Sequence, residues 1–400
     1  MKVVYADNNA TTKVAPEVVE AMLPYFTEYY GNPSSMHSFG GQVAKKIDVA
    51  RQQVAELVGA DPAEVVFSSC GTESDNAAIW GILRANPRKR HIVTTRVEHP
   101  AVYNLGKYLV QCGYHVTELG VDSNGTLNLD ELSDAIREDT AIVSIMYANN
   151  ETGVIFPIEE IGQIVKGKGS ILHTDAVQAV GKIPLNLSKS TIDLLTLSGH
   201  KLHAPKGVGA LFVRKGITFA PFIIGGHQEK NRRGGTENVP SIIGLGRACE
   251  LARNYINEES TKMKQLRDRL EEEILKKAPD ARLNGHKMQR LPNTTNLSFE
   301  FVEGEAILLL LNEKGICASS GSACTSGSLE PSHVLRAMGV PFTAVHGSVR
   351  LSLSRYNTIE DVHYIIEQLP PIIRRLREIS PYGSREMKMK EQAARVVAGM

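Results

Sequence analysis

The chain has 400 residues, 42% hydrophobic and 22% charged, a balance ordinary for a soluble globular protein and enough length to bury a large core. Lys and Arg (45) nearly cancel Asp and Glu (44), and a net charge of +1 gives no field to draw nucleic acid or an anionic membrane. No apolar run is long enough to span a bilayer, the N-terminus enters a strand-like pattern without a signal-peptide core, and five cysteines with no CxxC make no disulfide framework, so the expected compartment is the cytoplasm.

Turn and cap residues dominate the first forty positions, in Asp7-Asn8-Asn9-Ala10-Thr11-Thr12 and Gly31-Asn32-Pro33-Ser34-Ser35, with a helix from Pro16 between them. An amphipathic helix is predicted over 43–58, closed by Gly59. Strands and helices then alternate. Strands are predicted over 65–67, 91–94, 115–119, 141–146, 170–175, 194–198 and 210–213, with helices through Leu83, from His99, over 129–136 and over 158–165. This alternation predicts an α/β fold with a mainly parallel, seven-stranded sheet covered on both faces. A long helix from Pro240 to Lys277 follows, then a β-like run over 295–301, helices over 305–312 and 333–338, a strand over 348–353 and a helix over 359–377. The expected division is a large domain over 16–260, a smaller α/β domain over 261–380, an arm over 1–15 that contributes to the small domain, and a tail over 381–400, frayed or loosely helical.

Polar residues with chemical potential fall at strand ends. Leu194-Leu195-Thr196-Leu197 runs into Ser198-Gly199-His200-Lys201, which delivers an amine to the carboxyl edge of the sheet, where open α/β folds bind ligands. Lys201 is either a surface lysine of a βα loop or a desolvated amine able to form a Schiff base. Gly71 and Thr72 sit at a helix N-terminus, which suits a phosphate or plain capping. Asp175 ends an apolar strand, and a carboxylate there needs a cation; Gln178 follows it, and His99 opens another helix. A lysine, an acid and an anion site on one edge are what pyridoxal phosphate requires, and no GxGxxG follows the first strands. Arg350, within a β-like alternation, suits a carboxylate or a structural salt bridge. Gly234-Gly235-Thr236-Glu237-Asn238 forms a loop able to reach a second anion or a partner subunit. The small, polar stretch 318–328 predicts an exposed, mobile loop around Cys324, whereas Cys112 and Cys249 fall on helix patterns and are expected to be buried.

With Ser198-Gly199-His200-Lys201 and Ser319-Ser320-Gly321-Ser322-Ala323-Cys324-Thr325-Ser326 in this order, the chain resembles the pyridoxal-phosphate-dependent cysteine desulfurases, closest to their nitrogen-fixation-associated NifS branch. The resemblance runs from Asp7 to about Arg377. It implies a fold-type I transferase in which Lys201 holds pyridoxal 5'-phosphate as an internal aldimine and moves the substrate's α-proton. It further implies that Asp175 meets the pyridinium nitrogen, Gln178 the ring hydroxyl, and His99 the ring face. Gly71, Thr72, Ser198, Gly199 and His200 would serve the phosphate, with Thr236 reaching the phosphate of the other subunit of a homodimer. Asn150 would contact cofactor and substrate, and Arg350 would take the α-carboxylate of L-cysteine. Cys324 would receive the sulfur as a persulfide, leaving L-alanine. It would then pass that sulfur to an acceptor such as an iron–sulfur scaffold, with a transient iron–sulfur cluster contact at Cys324 itself and a nitrogenase-related supply role. Cys70 departs from the pattern, standing where related sequences often have glycine. An aminotransferase or lyase on the same fold remains the alternative, and Cys324 discriminates.

Overall fold

The computed structural model describes residues 2–320 and 331–380. A short strand, β1 (Val4–Tyr5), precedes a central sheet built from β2 (Val65–Ser68), β3 (His91–Thr95), β4 (His115–Leu119), β5 (Thr140–Ser144), β6 (Ile171–Asp175), β7 (Leu194–Ser198) and β8 (Gly209–Val213). These seven strands run in the order β2-β8-β7-β6-β5-β3-β4. All neighbours are parallel except β8, which is antiparallel to both β7 and β2.

Both faces of the sheet are covered, and the sequence shows why. Ile92, Ile142, Leu194 and Leu211 pack on one face with the helices Gly71–Ala85 and Pro100–Gln111. Their immediate neighbours Val93, Val143, Leu195 and Phe212 pack on the other, with the helices Ser38–Val58 and Ile158–Gly167. Successive side chains of a strand point to opposite faces, so a strand apolar at every position demands cover on both. Only the edge strand β4 is part-exposed along most of its length.

The connection from β3 leads outward to β4, whereas that from β5 leads the other way to β6. The carboxyl ends of β3 and β5 therefore flank a reversal of strand order, the position that forms a ligand crevice in open α/β sheets.

Beyond the sheet, the helix Val239–Lys277 serves two cores. Ile242, Leu245, Ala248 and Ala252 lie in the core of the large sheet. Met263, Leu266, Leu270 and Ile274, at helical spacing, enter a second core. That core is covered by the helices Gly304–Glu313 and Ile359–Ile379 and backed by β9 (Ala281–Leu283), β10 (Thr294–Phe299), β11 (Ile316–Cys317) and β12 (Ser348–Ser352). β12, β10 and β9 form an antiparallel sheet of three strands, and β1 pairs in parallel with β11, which seats Val4 and Ala6 in the second core.

Several boundaries differ from the sequence reading for local reasons. The helix expected over 43–58 begins at Ser38, because His37 caps the Gly40 amide and Gly40 lies where any Cβ would collide with the Asn32 carbonyl. β5 stops at Ser144 instead of Met146, because the Met146 amide donates to the Glu98 carboxyl at 3.0 Å. The run expected over 295–301 ends at Phe299, and Phe301 is left-handed at φ 64°. β9 has three part-buried residues and no alternation to find. The predicted tail over 381–400 lies outside the described residues.

Leu270 is fully buried in the second core, so Leu270→Ala is expected to destabilise the protein by about 2–5 kcal/mol. Leu309→Ala, on an exposed helix position, is expected to cost less than about 0.5 kcal/mol. Denaturant unfolding of the two variants measures the contrast.

Candidate active site

After Ser198 the chain makes one tight turn, Gly199–Lys201. The Gly199 amide donates to the Val208 carbonyl at 3.0 Å, and a Cβ on Gly199 would meet Val208 at 2.8 Å, so the turn requires glycine. The stretch Asp7–Thr12 lies across this turn and locks it. The Thr12 amide and hydroxyl both donate to the His200 carbonyl, each at 2.9 Å. The Lys201 Nζ donates to the carbonyls of Asn9 and Ala10, the latter at 2.7 Å. Asn9 is in turn fixed by β10 and β12: its amide donates to Ser352 Oγ and its Nδ2 to Thr294 Oγ1, both at 2.9 Å. The sequence marks these N-terminal residues as turn formers and gives no sign that their carbonyls hold the lysine.

A cavity of about 330 Å³ opens at this sheet edge. It is lined by Gly71, Thr72, His99, Asn150, Asp175, Gln178, Ser198, His200, Lys201 and Arg350, drawn from the sequence-predicted set, together with Cys70 and Asp75. At one end the helix Gly71–Ala85 begins. Cys70 is its N-cap, the thiol accepting the Glu73 amide at 3.4 Å, and the Gly71 and Thr72 amides have no intrahelical acceptor. A Cβ on Gly71 would meet Val177 at 2.9 Å. The Ser198 hydroxyl, buried beside them, makes no hydrogen bond within the protein. The Glu73 carboxylate, which would repel an anion, is turned to Arg233 at 2.9 Å and to the Ser69 amide at 2.9 Å. Burial raises its pKa, but these bonds outweigh burial and hold it below the usual carboxylate range.

The acids near this edge are buried. Asp175 accepts the Val177 amide at 2.9 Å. Burial pushes its pKa up to about 6, against the pull of that bond and of the Lys201 charge. Burial pushes Glu98 further, to about 8, although its carboxyl accepts from the Met146 amide and Thr95 hydroxyl. Asp75, fully buried and raised by burial and then by Asp175, leaves one oxygen unpartnered, 3.6 Å from His173 Nε2.

Above the crevice, His99 caps the helix Pro100–Gln111, its Nδ1 accepting the Ala101 amide at 3.2 Å. Burial first, then the Lys201 and His333 charges, lower its pKa to about 4. A neutral imidazole that accepts at Nδ1 carries its proton on Nε2. Arg350, nearly fully buried, donates to Asp7 at 2.7 Å and to the Asn150 carbonyl at 3.0 Å, while its Nε has no partner. Of the two roles that the sequence leaves as alternatives, the structure shows the ion pair, with Asp7, and leaves one buried guanidinium donor unpartnered. Its own backbone pairs with Ser319, where the chain enters the cysteine-containing stretch.

The structure does not bring every predicted residue to this cavity. Gly199 shapes the lysine turn from behind. Thr236 is exposed and lines a separate cavity with Ser68, Ser69 and Arg233. Cys324 lies outside the described residues. Cys249 is buried as expected, its thiol pushed up to about 12 by burial. Cys112 corrects the sequence reading: it is exposed, because the helix ends at Gln111 and Cys112 is the C-cap before left-handed Gly113. No cluster of three or more His, Cys, Asp or Glu side chains suited to a metal occurs among the described residues, and no helix there is long and apolar enough to cross a membrane.

Residues 4–365 match the family model for Aminotransferase class-V. The chain is 63% identical over 386 residues to a cysteine desulfurase of Nostoc sp., covering 96% of both chains. It is 56% identical over 382 residues to the cysteine desulfurase NifS of Azotobacter vinelandii, covering 95% of both. Among solved structures it resembles a NifS-like protein with a TM-score of 0.88 and 41% identity, covering 94% of this chain and 100% of that one.

Burial holds His91, His99, His200 and His203 neutral down to about pH 4, and His173 to about pH 3. Free histidines in the unfolded chain titrate near pH 6.5. As pH falls below that value the unfolded state takes up protons that the folded state refuses, so stability is lost. The carboxyls with raised values, Asp75, Glu98, Glu151, Asp175, Asp193 and Glu259, act in the opposite sense. The histidine contribution is isolated by His173→Gln, whose urea midpoint is expected to be lowered less, or raised more, than that of the parent on going from pH 7 to pH 5; an identical pH response would contradict this reading.

Proposed function

The chain belongs to the Aminotransferase class-V family and is a cysteine desulfurase; on that premise we propose that its cavity holds pyridoxal 5'-phosphate anchored on Lys201. The observation that carries this reading is an unsatisfied buried hydroxyl, Ser198 Oγ, set beside the free amides of Gly71 and Thr72, with Lys201 and Asp175 in the same cavity. A buried polar group without a partner is costly, and a phosphate oxygen answers both it and the helix N-terminus. Bound there, pyridoxal phosphate supplies the electron sink that labilises bonds around the substrate's α-carbon.

The chain's own residues supply the rest. Asp175 would hold the pyridinium nitrogen, Gln178 the ring hydroxyl and His99 the ring, and Gly71, Thr72, Ser198 and His200 would hold the phosphate, with Gly199 shaping the turn behind them. Arg350 takes the α-carboxylate of L-cysteine through its unspent Nε–H while Asp7 holds the guanidinium in place. Asn150, whose carbonyl is tied to Arg350, flanks the substrate. Lys201 Nζ accepts the α-proton, and the neutral His99 keeps a donor at Nε2. The Cys324 thiolate attacks the substrate sulfur, so that L-cysteine and the thiol become L-alanine and a persulfide on Cys324. An acceptor protein, in our reading an iron–sulfur assembly scaffold, then takes that sulfur, with the cluster transiently at Cys324. A nitrogenase-related role is favoured by the likeness to the Azotobacter vinelandii protein.

Thr236 is exposed on this chain, in keeping with a homodimer in which it reaches the partner's phosphate. The proposed compartment is the cytoplasm, where the free thiols Cys70, Cys112, Cys249 and Cys317 stay reduced.

Lys201→Ala is expected to abolish both the cofactor's visible absorbance and alanine formation from L-cysteine. Cys324→Ala is expected to keep the absorbance and form no persulfide; unchanged sulfide release from this variant would overturn the assignment of Cys324. Arg350→Lys loses the Nε–H donor and the planar guanidinium that holds it in place. Its KM for L-cysteine is expected to rise about 10- to 100-fold, with the absorbance retained. An unchanged KM in steady-state assays would remove Arg350 from the substrate.

A further inference from the structure

Gln178 is a buried amide held from both sides. Its Nε2 donates to the Asn9 carbonyl at 3.0 Å, and its Oε1 accepts from Lys182 Nζ at 2.7 Å. The oxygen and nitrogen of an amide are distinguished by their partners. Here the partners admit one answer: a lysine amine beside the amide donates, and a carbonyl accepts. With Oε1 committed to Lys182 and one Nε2 proton committed to Asn9, the second Nε2 proton remains, and Gln178 lines the cavity shared by Asp175 and Lys201.

We infer that Lys182 is a positioning residue that fixes the Gln178 amide so that an N–H, and not a carbonyl oxygen, faces the cofactor's ring oxygen. The inference rests on the assignment of pyridoxal phosphate to the cavity.

The surroundings of Lys182 fit this task better than a role as a charge. It lines a narrow cavity behind the lysine turn with Thr12, His203, Glu259 and Arg355. Glu259 is taken by Arg355 at 3.0 Å, and among the described residues no carboxylate lies within ion-pair distance of Lys182. Burial, then the charges of Lys201 and Arg350, lower its pKa to about 7. A site that disfavours the cation still retains the hydrogen bond, because the neutral amine also carries N–H donors. Asn9 completes the arrangement, since its carbonyl accepts from both Gln178 and Lys201.

The consequence concerns an oxygen that bears negative charge when the cofactor is bound. An N–H facing it stabilises that charge, whereas a carbonyl oxygen turned toward it would repel it. Without Lys182 the amide is free to turn over, and the cofactor's visible band should titrate at higher pH.

The test compares that titration midpoint in the holoenzyme and in four variants. Lys182→Met, which has no donor, is expected to raise the midpoint by about half to one pH unit, the equivalent of one hydrogen bond. Lys182→Gln, uncharged but able to donate, is expected to stay close to the parent. Gln178→Leu is expected to shift upward, and Lys182→Met in that background to add nothing, because the lysine acts through the amide. An unmoved midpoint in Lys182→Met overturns the inference. So does a full Lys182→Met shift in the Gln178→Leu background, or a Lys182→Gln shift as large as that of Lys182→Met, either of which points to direct charge. If Lys182→Met does not fold, Lys182→Ala is read in its place. A parent enzyme with no visible band would instead overturn the cofactor assignment.

Discussion

The locking of the lysine turn under the N-terminal stretch is the contact on which the site depends. Asn9 and Ala10 present their carbonyls to the Lys201 amine, and Thr12 closes on the His200 carbonyl from the other side. Asn9 itself is held by residues of β10 and β12, in the sheet of the second core, and Arg350 of β12 reaches Asp7 and Asn150. The amine at the edge of the large sheet and the guanidinium from the small sheet are thus registered through one peptide segment. A ligand that must touch both needs that registration, because a misplacement of about 1 Å can cost catalysis about a hundredfold.

Burial, set against pairing, sorts the ionisable groups. Asp175 and Glu98 are both buried carboxyls, yet Asp175 rises only to about 6 and Glu98 to about 8. The difference follows from the cation: Lys201 acts on Asp175, whereas Glu98 receives only hydrogen bonds and feels the charge of Asp175. An acid poised near neutrality can ionise once a cationic ring nitrogen approaches, while Glu98 stays protonated and braces β3 against the chain leaving β5. His99 is kept neutral by the same burial, assisted by Lys201 and His333, which preserves the proton on Nε2.

Much of this was legible in the residues because strands buried on both faces leave unbroken apolar runs, and the polar residues that interrupt them stand at their ends. Asp175, Ser198 and Lys201 were found in that way, and the long helix by its length and its periodicity. What stayed hidden was non-local. Nothing in Asp7-Asn8-Asn9-Ala10-Thr11-Thr12 announces that its backbone carbonyls hold the Lys201 amine, since a carbonyl has no sequence signature. Lys182 sits on a turn after Gln178, and its meaning depends on what lies behind Lys201. Cys112 was misread because helical periodicity carries on past the last hydrogen-bonded residue, whereas burial does not.

The same non-local wiring reaches the two ends of the stretch that contains Cys324. On the near side, Ser319 pairs with the backbone of Arg350, and the Ser320 carbonyl accepts from the Ser348 hydroxyl at 3.3 Å. On the far side, Ser332 bonds the buried Glu151 carboxylate, and His333 bonds the Glu98 carbonyl at 2.9 Å while stacking on Tyr103. Glu98 and Glu151 follow β3 and β5, the strands that flank the reversal of order, and Arg350 belongs to β12. Both stems are therefore anchored to the elements that build the crevice. Arg350, which anchors the near side through its backbone, is also the residue proposed for the substrate's carboxylate, so one strand would register both the thiol's stretch and the substrate.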